Sequence, residues 1–333
     1  EEVTYQGDIP ARQALVQSKN AATVRLGKKI GRSKVVDVIQ RAGIESPVDD
    51  YDKTLLGSSG ATLAEMVKAF TIFPNGGTRP DKLYLVTSIN DSKGRTIFSE
   101  GAATQVEVID QIASYQVHSC LSEALSEGTG QYASMRYGFD DRNAAGKTGT
   151  AYNFTDLWFV GYNNSVTCGV WSGFDTPKTI YRGAFSNSTV LPVWVDAMTA
   201  GQPAFRSSAV PFPTGARTVE ICTKSGRRAT DACYEEVGEE GGERRIERCT
   251  YKEVIRGTID FRLFCNYHSG GRSSVPDLVI PDLTAGGQTG PSGLPRAVPL
   301  RNRDNGVGIL VNAPTVVGAA DPYDSVQPVL KAL

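Results

Sequence analysis

Apolar positions between residues 11 and 31 recur at mixed three- and four-residue spacing, at Leu15, Val16, Ala22, Val24, Leu26 and Ile30. That spacing predicts a helix, with Gly31 as its stop. Ser33 is placed to cap a second helix over Lys34 to Arg41, which Gly43 closes. Thr62-Leu63-Ala64-Glu65 has capping-box spacing and opens a third helix through Phe70, ended by Pro74-Asn75-Gly76-Gly77. Leu83 to Asn90 then alternates and is rich in Val, Ile and Tyr, and Asp91-Ser92-Lys93-Gly94 turns it back into Thr96-Ile97-Phe98, which predicts a hairpin. A long helix from about Asp110 to Ser126 turns Ile112, Tyr115, Val117, Leu121 and Ala124 inward, and Glu127-Gly128-Thr129-Gly130 breaks it.

Ala144 to Tyr152, Asp156 to Tyr162 and Ser165 to Phe174 are apolar runs joined by tight polar turns, the pattern of an antiparallel meander. Thr189 to Ala200 reads as a helix able to cover one of its faces. The fold class expected is α+β, an antiparallel sheet covered by helices. After Gly201 the texture changes. Residues 218 to 268 carry cysteines and charge, and from Ser269 Pro and Gly rise while periodicity fades, as in a poorly ordered tail. The expected division is 1–205, 206–268 and 269–333.

The chain has 333 residues, enough for a substantial core. Its net charge of −1 gives no reason to expect nucleic acid as a partner. No run approaches the roughly 18 apolar residues of a membrane span, and no charged-then-apolar leader opens it. Any export signal or anchor is expected upstream. Of six cysteines, Cys120 and Cys168 read as buried thiols, while Cys222, Cys233, Cys249 and Cys265 form a pattern with separations of 11, 16 and 16. Those separations lack the paired Cys-x-x-Cys of most zinc sites, so two disulfides in an oxidising compartment are expected and no cofactor or metal. Cys265-Asn266-Tyr267-His268 keeps zinc open as the lesser alternative.

The chemistry concentrates in Lys147-Thr148-Gly149-Thr150, at a predicted strand start. A glycine there leaves room for a substrate backbone alongside the strand, which can add as a further strand. Lys147 supplies positive charge, and the hydroxyls of Thr148 and Thr150 can hold a carboxylate. A backbone N–H here can point at a developing oxyanion. Upstream lies Ser18-Lys19-Asn20, in which a serine can pass protons and an asparagine can hold an amide through both faces of its side chain. The bland alternatives are an ordinary strand entry and a polar helix end.

Together these are the second and third of three elements that serve acyl transfer in penicillin-binding proteins and serine β-lactamases. The surrounding blocks, residues 13 to 26, Leu56 to Met66, Gly128-Thr129-Gly130, Ala145 to Thr150, Asp156 to Tyr162 and Gly169 to Asp175, resemble class A, bifunctional penicillin-binding proteins. The resemblance covers residues 5 to about 200 well and the cysteine segment more loosely. It implies the penicillin-binding transpeptidase and serine β-lactamase-like fold, and a D,D-transpeptidase of peptidoglycan synthesis, with a glycosyltransferase domain upstream. Stem peptides ending in D-Ala-D-Ala and β-lactams would be its ligands, and wall-synthesis proteins possible partners. The site would be extracytoplasmic, with a membrane anchor in an upstream part. Carried over by residue, Ser18 would shuttle protons, Asn20 would bind the substrate amide, and Lys147 would partner Ser18 and the substrate carboxylate. Thr148 and Thr150 would bind that carboxylate beside Gly149, with the Thr150 N–H in the oxyanion hole.

The first element, Ser-x-x-Lys, is missing: no serine in the chain has a lysine three places on. Truncation is the simplest account, so the chain is expected to be incomplete at its N-terminus and unable to form an acyl-enzyme alone. The rival reading is a non-catalytic pseudo-transpeptidase that binds the wall or a partner.

Overall fold

The structure, a computed structural model, describes residues 7–238, 244–259 and 262–268, and the backbone of two short strands at 297–298 and 308–311. The chain opens with helices α1 (Ala11–Val16), α2 (Asn20–Ile30) and α3 (Arg32–Arg41), followed after a short 3-10 turn by α4 (Leu63–Phe70). Strands β1 (Thr78–Pro80), β2 (Ser88–Asn90), β3 (Thr96–Ser99) and β4 (Gln105–Glu107) lead into the long helix α5 (Gln111–Ser126) and the single turn α6 (Tyr132–Met135). Then come β5 (Ala145–Thr150), β6 (Asp156–Tyr162) and β7 (Val166–Gly173), the short α7 (Ser186–Thr189) and α8 (Leu191–Gly201). A last group holds β8 (Ala216–Cys222), β9 (Tyr234–Val237), β10 (Arg245–Arg248) and β11 (Thr250–Arg256), with β12 (Ala297–Val298) and β13 (Gly308–Val311) after them.

The expected meander forms. β5, β6 and β7 pair antiparallel in sequence order, β5 is the sheet's outer strand, and β13 pairs parallel with β7 on the other side. β6 is apolar on both faces because both are covered. Leu157 and Phe159 point toward α8, where Trp194 is fully buried and lies tilted 4.7 Å from the Phe159 ring. A Cβ on Gly161 would stand 2.6 Å from that indole, so glycine is what lets α8 sit down on the strand. Tyr162, on the opposite face, packs with Leu121 of α5 and with Phe70 and Phe73 at the end of α4. α4 itself approaches β7 so closely that a Cβ on Gly169 would lie 2.7 Å from a Val67 methyl. Thr62 caps α4 in the expected reciprocal box with Glu65, whose carboxyl is held down to about 2; burial pushes it up, but bonds from the Thr62 and Ser46 N–H and hydroxyl groups outweigh that.

Several expectations on local structure need correction. The single helix over 11 to 31 is two helices, broken at Gln17–Lys19. α3 begins at Arg32 behind Gly31, which takes φ +105°, and Ser33 caps nothing because it already lies inside the helix. The strand expected from Leu83 is confined to Ser88–Asn90, and Leu85 is fully exposed: residues 83 to 87 have an alternating pattern but, among the described residues, no partner strand to bury it. Most of the Pro- and Gly-rich stretch beyond residue 268 lies outside the described residues. Among the described residues no helix is long and apolar enough to cross a membrane.

The last third is built differently. β8 pairs with β11 and β9 with β10, each antiparallel, giving two two-stranded ribbons with a small apolar cluster of Val219, Ile221 and Ile255. The first ribbon docks on α5 through polar contacts, Gln116 Nε2 donating to Val254 O at 2.6 Å and Arg256 pairing with Asp110 at 3.0 Å.

Candidate active site

Ser18 owes its position to the way α1 ends. The Lys19 N–H reaches Ala14 O at 2.8 Å and the Ser18 N–H reaches Leu15 O at 3.2 Å, the paired bonds of a Schellman ending. Such an ending places the residue after the cap in the left-handed region, and Ser18 takes φ +55° there. A non-glycine residue at that position costs roughly 1 kcal/mol or more, a strain tolerated where the hydroxyl has a task. Ser18 is exposed rather than buried. Its Oγ accepts a hydrogen bond from Lys147 Nζ at 3.0 Å, joining positions 129 residues apart.

Lys147 is the third residue of β5, whose outer edge faces away from β6. Its amine also donates to Thr148 O at 3.3 Å, and among the described residues no carboxylate pairs with it. Burial without a counter-charge pushes its pKa down to about 8. An amine so placed is partly neutral near neutral pH and can take a proton through the Ser18 hydroxyl.

Two residues given no role in the sequence reading complete the edge. Thr129 Oγ1 lies 2.7 Å from Thr148 Oγ1. Thr129 arrives there because Gly128 and Gly130 flank it: a Cβ on Gly128 would stand 2.5 Å from Val16 O and 2.8 Å from the Ala124 Cα, so only glycine lets the ends of α1 and α5 touch. The Gly-Thr-Gly block thus seats Ser18 and Thr129 on the same groove. Ser186, buried at the start of α7, bonds Thr150 Oγ1 at 2.8 Å and donates to Gly149 O at 2.5 Å, fixing the far end of the motif strand. Gly-Thr-Gly was a readable signal for Thr129; Ser186 had none, since a serine in a polar loop carries no spacing rule.

Asn20 begins α2, two residues past Ser18, and is exposed. A cavity of about 360 Å³ runs beside these residues, lined by Gln17, Lys19, Gly128, Thr129, Tyr132 and Asn187. The larger cavity, about 950 Å³, lies between α1, α5 and β11, and neither cavity is lined by Ser18, Asn20 or Lys147. Arg12 anchors α1 on that side, with Nε 2.6 Å from Glu123 and Nη1 3.5 Å from Glu253. Burial drives the His118 imidazole down to about 4 and the Cys120 and Cys168 thiols up to about 11 and 12, so at neutral pH the ring is uncharged and both thiols keep their protons.

The family described as penicillin binding protein transpeptidase domain matches residues 1–178. Among curated proteins, penicillin-binding protein 1A of Rickettsia conorii is 30% identical over 245 residues, which are 67% of this chain and 30% of that protein. Penicillin-binding protein 1A of Neisseria lactamica is 33% identical over 202 residues, 58% of this chain and 24% of the relative. The chain therefore spans less than a third of the length of these relatives. Among solved structures, penicillin-binding protein 1A from Haemophilus influenzae superposes with a TM-score of 0.61 at 20% identity, over 73% of this chain and 40% of that one. Penicillin-binding protein PonA1 from Mycobacterium tuberculosis gives 0.51 at 21% identity, over 61% and 59%. These two share the fold. With the family match extending over more than half of its residues and taking in both motifs that meet at the β5 edge, the chain belongs to the penicillin-binding protein transpeptidase family, in which it resembles the class A branch.

Proposed function

We propose that this chain carries the proton-transfer and substrate-anchoring half of a D,D-transpeptidase centre, part of a bifunctional peptidoglycan synthase whose nucleophilic serine belongs to sequence upstream of it. The observation that carries the reading is the 3.0 Å contact between Lys147 Nζ and Ser18 Oγ, on a strand edge that also presents Thr148 and Thr150. A stem peptide ending in D-Ala-D-Ala lies along the outer edge of β5 as an added strand. Its terminal carboxylate meets Lys147 and the threonine hydroxyls, and Asn20 holds a peptide amide. The Thr150 N–H donates to the oxyanion that develops as the serine attacks. Ser18 and Lys147 relay the proton to the departing D-Ala amine, and an amine of a neighbouring strand resolves the acyl-enzyme. β-Lactams occupy the same edge and acylate the same serine. This places the working protein on the extracytoplasmic face of the membrane.

Fluorescent penicillin tests it. This chain is expected to stay unlabelled, and a longer polypeptide from the same gene that includes a Ser-x-x-Lys element is expected to label. Lys147→Ala in that longer protein should slow labelling by about 10²- to 10⁴-fold, the range for losing a positioned acid-base group. Labelling that is indifferent to Lys147 would sink the proposal and favour a pseudo-transpeptidase.

A further inference from the structure

Cys222, Cys233, Cys265 and His268 come from three separate segments of the C-terminal region, yet their sulfur and nitrogen atoms all lie within 4.8 Å of one another. All six cysteines of the chain are free thiols. Cys222 and Cys233 are fully buried and Cys265 nearly so, and the apolar group packed against the thiol cluster is Ala229 alone among the described residues. We propose that these four side chains are a structural zinc site, with Cys222, Cys233 and Cys265 as thiolate ligands and His268 bound through Nδ1.

The geometry assigns the ring nitrogen. His268 Nδ1 is 3.6 Å from Cys222 Sγ and 3.4 Å from Cys265 Sγ. A tetrahedral centre with Zn–S near 2.3 Å and Zn–N near 2.0 Å has sulfur-to-nitrogen edges of about 3.5 Å. The other nitrogen, Nε2, stands 3.3 Å from Cys249 Sγ. Cys249 thus acts as the outer partner that receives the Nε2–H and fixes the tautomer, the role that hydrogen-bond acceptors play behind metal-bound histidines. Cys233 Sγ accepts from the Thr230 N–H at 3.3 Å, which fixes the direction of the sulfur. Zinc entry displaces one proton from each of three thiols to solvent and none from the neutral imidazole.

A built role follows from the backbone. Cys222 ends β8, Cys233 precedes β9 and bonds Cys249 through its carbonyl at 3.1 Å, and Cys265 is tied to Arg228 O at 2.7 Å. The ribbons meet at the sulfur cluster with almost no apolar side chains between them, so a metal supplies the cross-link that a core would otherwise give.

The extracytoplasmic setting proposed above favours disulfides, which makes thiol state the deciding measurement. The full chain, purified without chelator, should contain one zinc per chain by mass spectrometry, and all six cysteines should alkylate after denaturation. Cobalt substitution should give tetrahedral d–d bands, and X-ray absorption on the zinc protein should fit three sulfurs and one nitrogen. Cys249→Ser should keep the metal with affinity weakened about 10- to 100-fold, whereas His268→Ala should lose it. Two disulfides with no bound metal would overturn the proposal, and so would a zinc shell of four sulfurs. Because absorption is read on the unmutated protein, a variant that fails to fold leaves the test intact.

Discussion

The transpeptidase sheet and the C-terminal ribbons hold their shapes by opposite means. Around β6 the chain buries Trp194, Phe159, Leu157, Leu191 and Tyr162 completely, and the strand edge that bears Lys147 inherits its rigidity from that packing. The ribbons bury four thiols and four aliphatic side chains, Val219, Ile221, Val254 and Ile255, with Ala229 half-buried at their margin. The contrast teaches where a polar site can afford strain. Ser18 stays in a left-handed conformation because α1 is fixed from two sides, by Gly128 beneath it and by Arg12, whose charge reaches Glu123 of α5 and Glu253 of β11. Arg12 is also one of the joints between the two regions, beside Gln116–Val254 and Arg256–Asp110.

Trp194→Ala tests the packed half most severely. It removes the side chain that Phe139 meets edge-on and Phe159 meets at a tilt and should cost about 3–5 kcal/mol in urea denaturation; a loss under about 1 kcal/mol would mean that the sheet does not depend on its core. Arg12→Ala strikes the joint. It strands two carboxylates beside Tyr251 and should cost about 3 kcal/mol, with hydrogen exchange rising in both α1 and β11, whereas protection lost in α1 alone would show that the regions are uncoupled. Ser18→Gly and Ser18→Ala both delete the hydroxyl, but only glycine relieves the φ of +55°. The glycine variant should therefore be the more stable by about 1 kcal/mol, and equal stabilities would remove the argument for strain.

The smallest effect is a pH slope. Burial holds the Lys147 amine at about 8 against an ordinary 10.5. Between those values the unfolded chain binds the proton that the folded one has released, so stability rises with pH over that window. Lys147→Met should flatten that part of the curve, seen as the difference between the two proteins' stability profiles; parallel profiles would contradict the burial.

Much of this was legible in the residues alone. The meander, the capped α4 and the long α5 follow from local periodicity and end signals, because a strand or helix that must bury one side writes that requirement at fixed spacing. The two motifs that meet at the β5 edge were readable as well, through the resemblance they carry. Local pattern missed the break at Ser18, since a helix-compatible sequence on both sides hides a Schellman turn that packs against Gly128, more than a hundred residues on. It also overextended the strand at Leu83, where alternation met no partner.

What the sequence determined by itself was the central meander, the capped α4, the long α5 and the family to which they belong, because hydrophobic spacing and motif chemistry are local. What only the tertiary structure decided was proximity. Lys147 meets Ser18 across 129 positions, Ser186 pins Gly149 and Thr150, and His268 turns its two nitrogens to different thiols. Each of these depends on how whole elements pack, and no spacing along the chain encodes the distance between side chains that packing brings together.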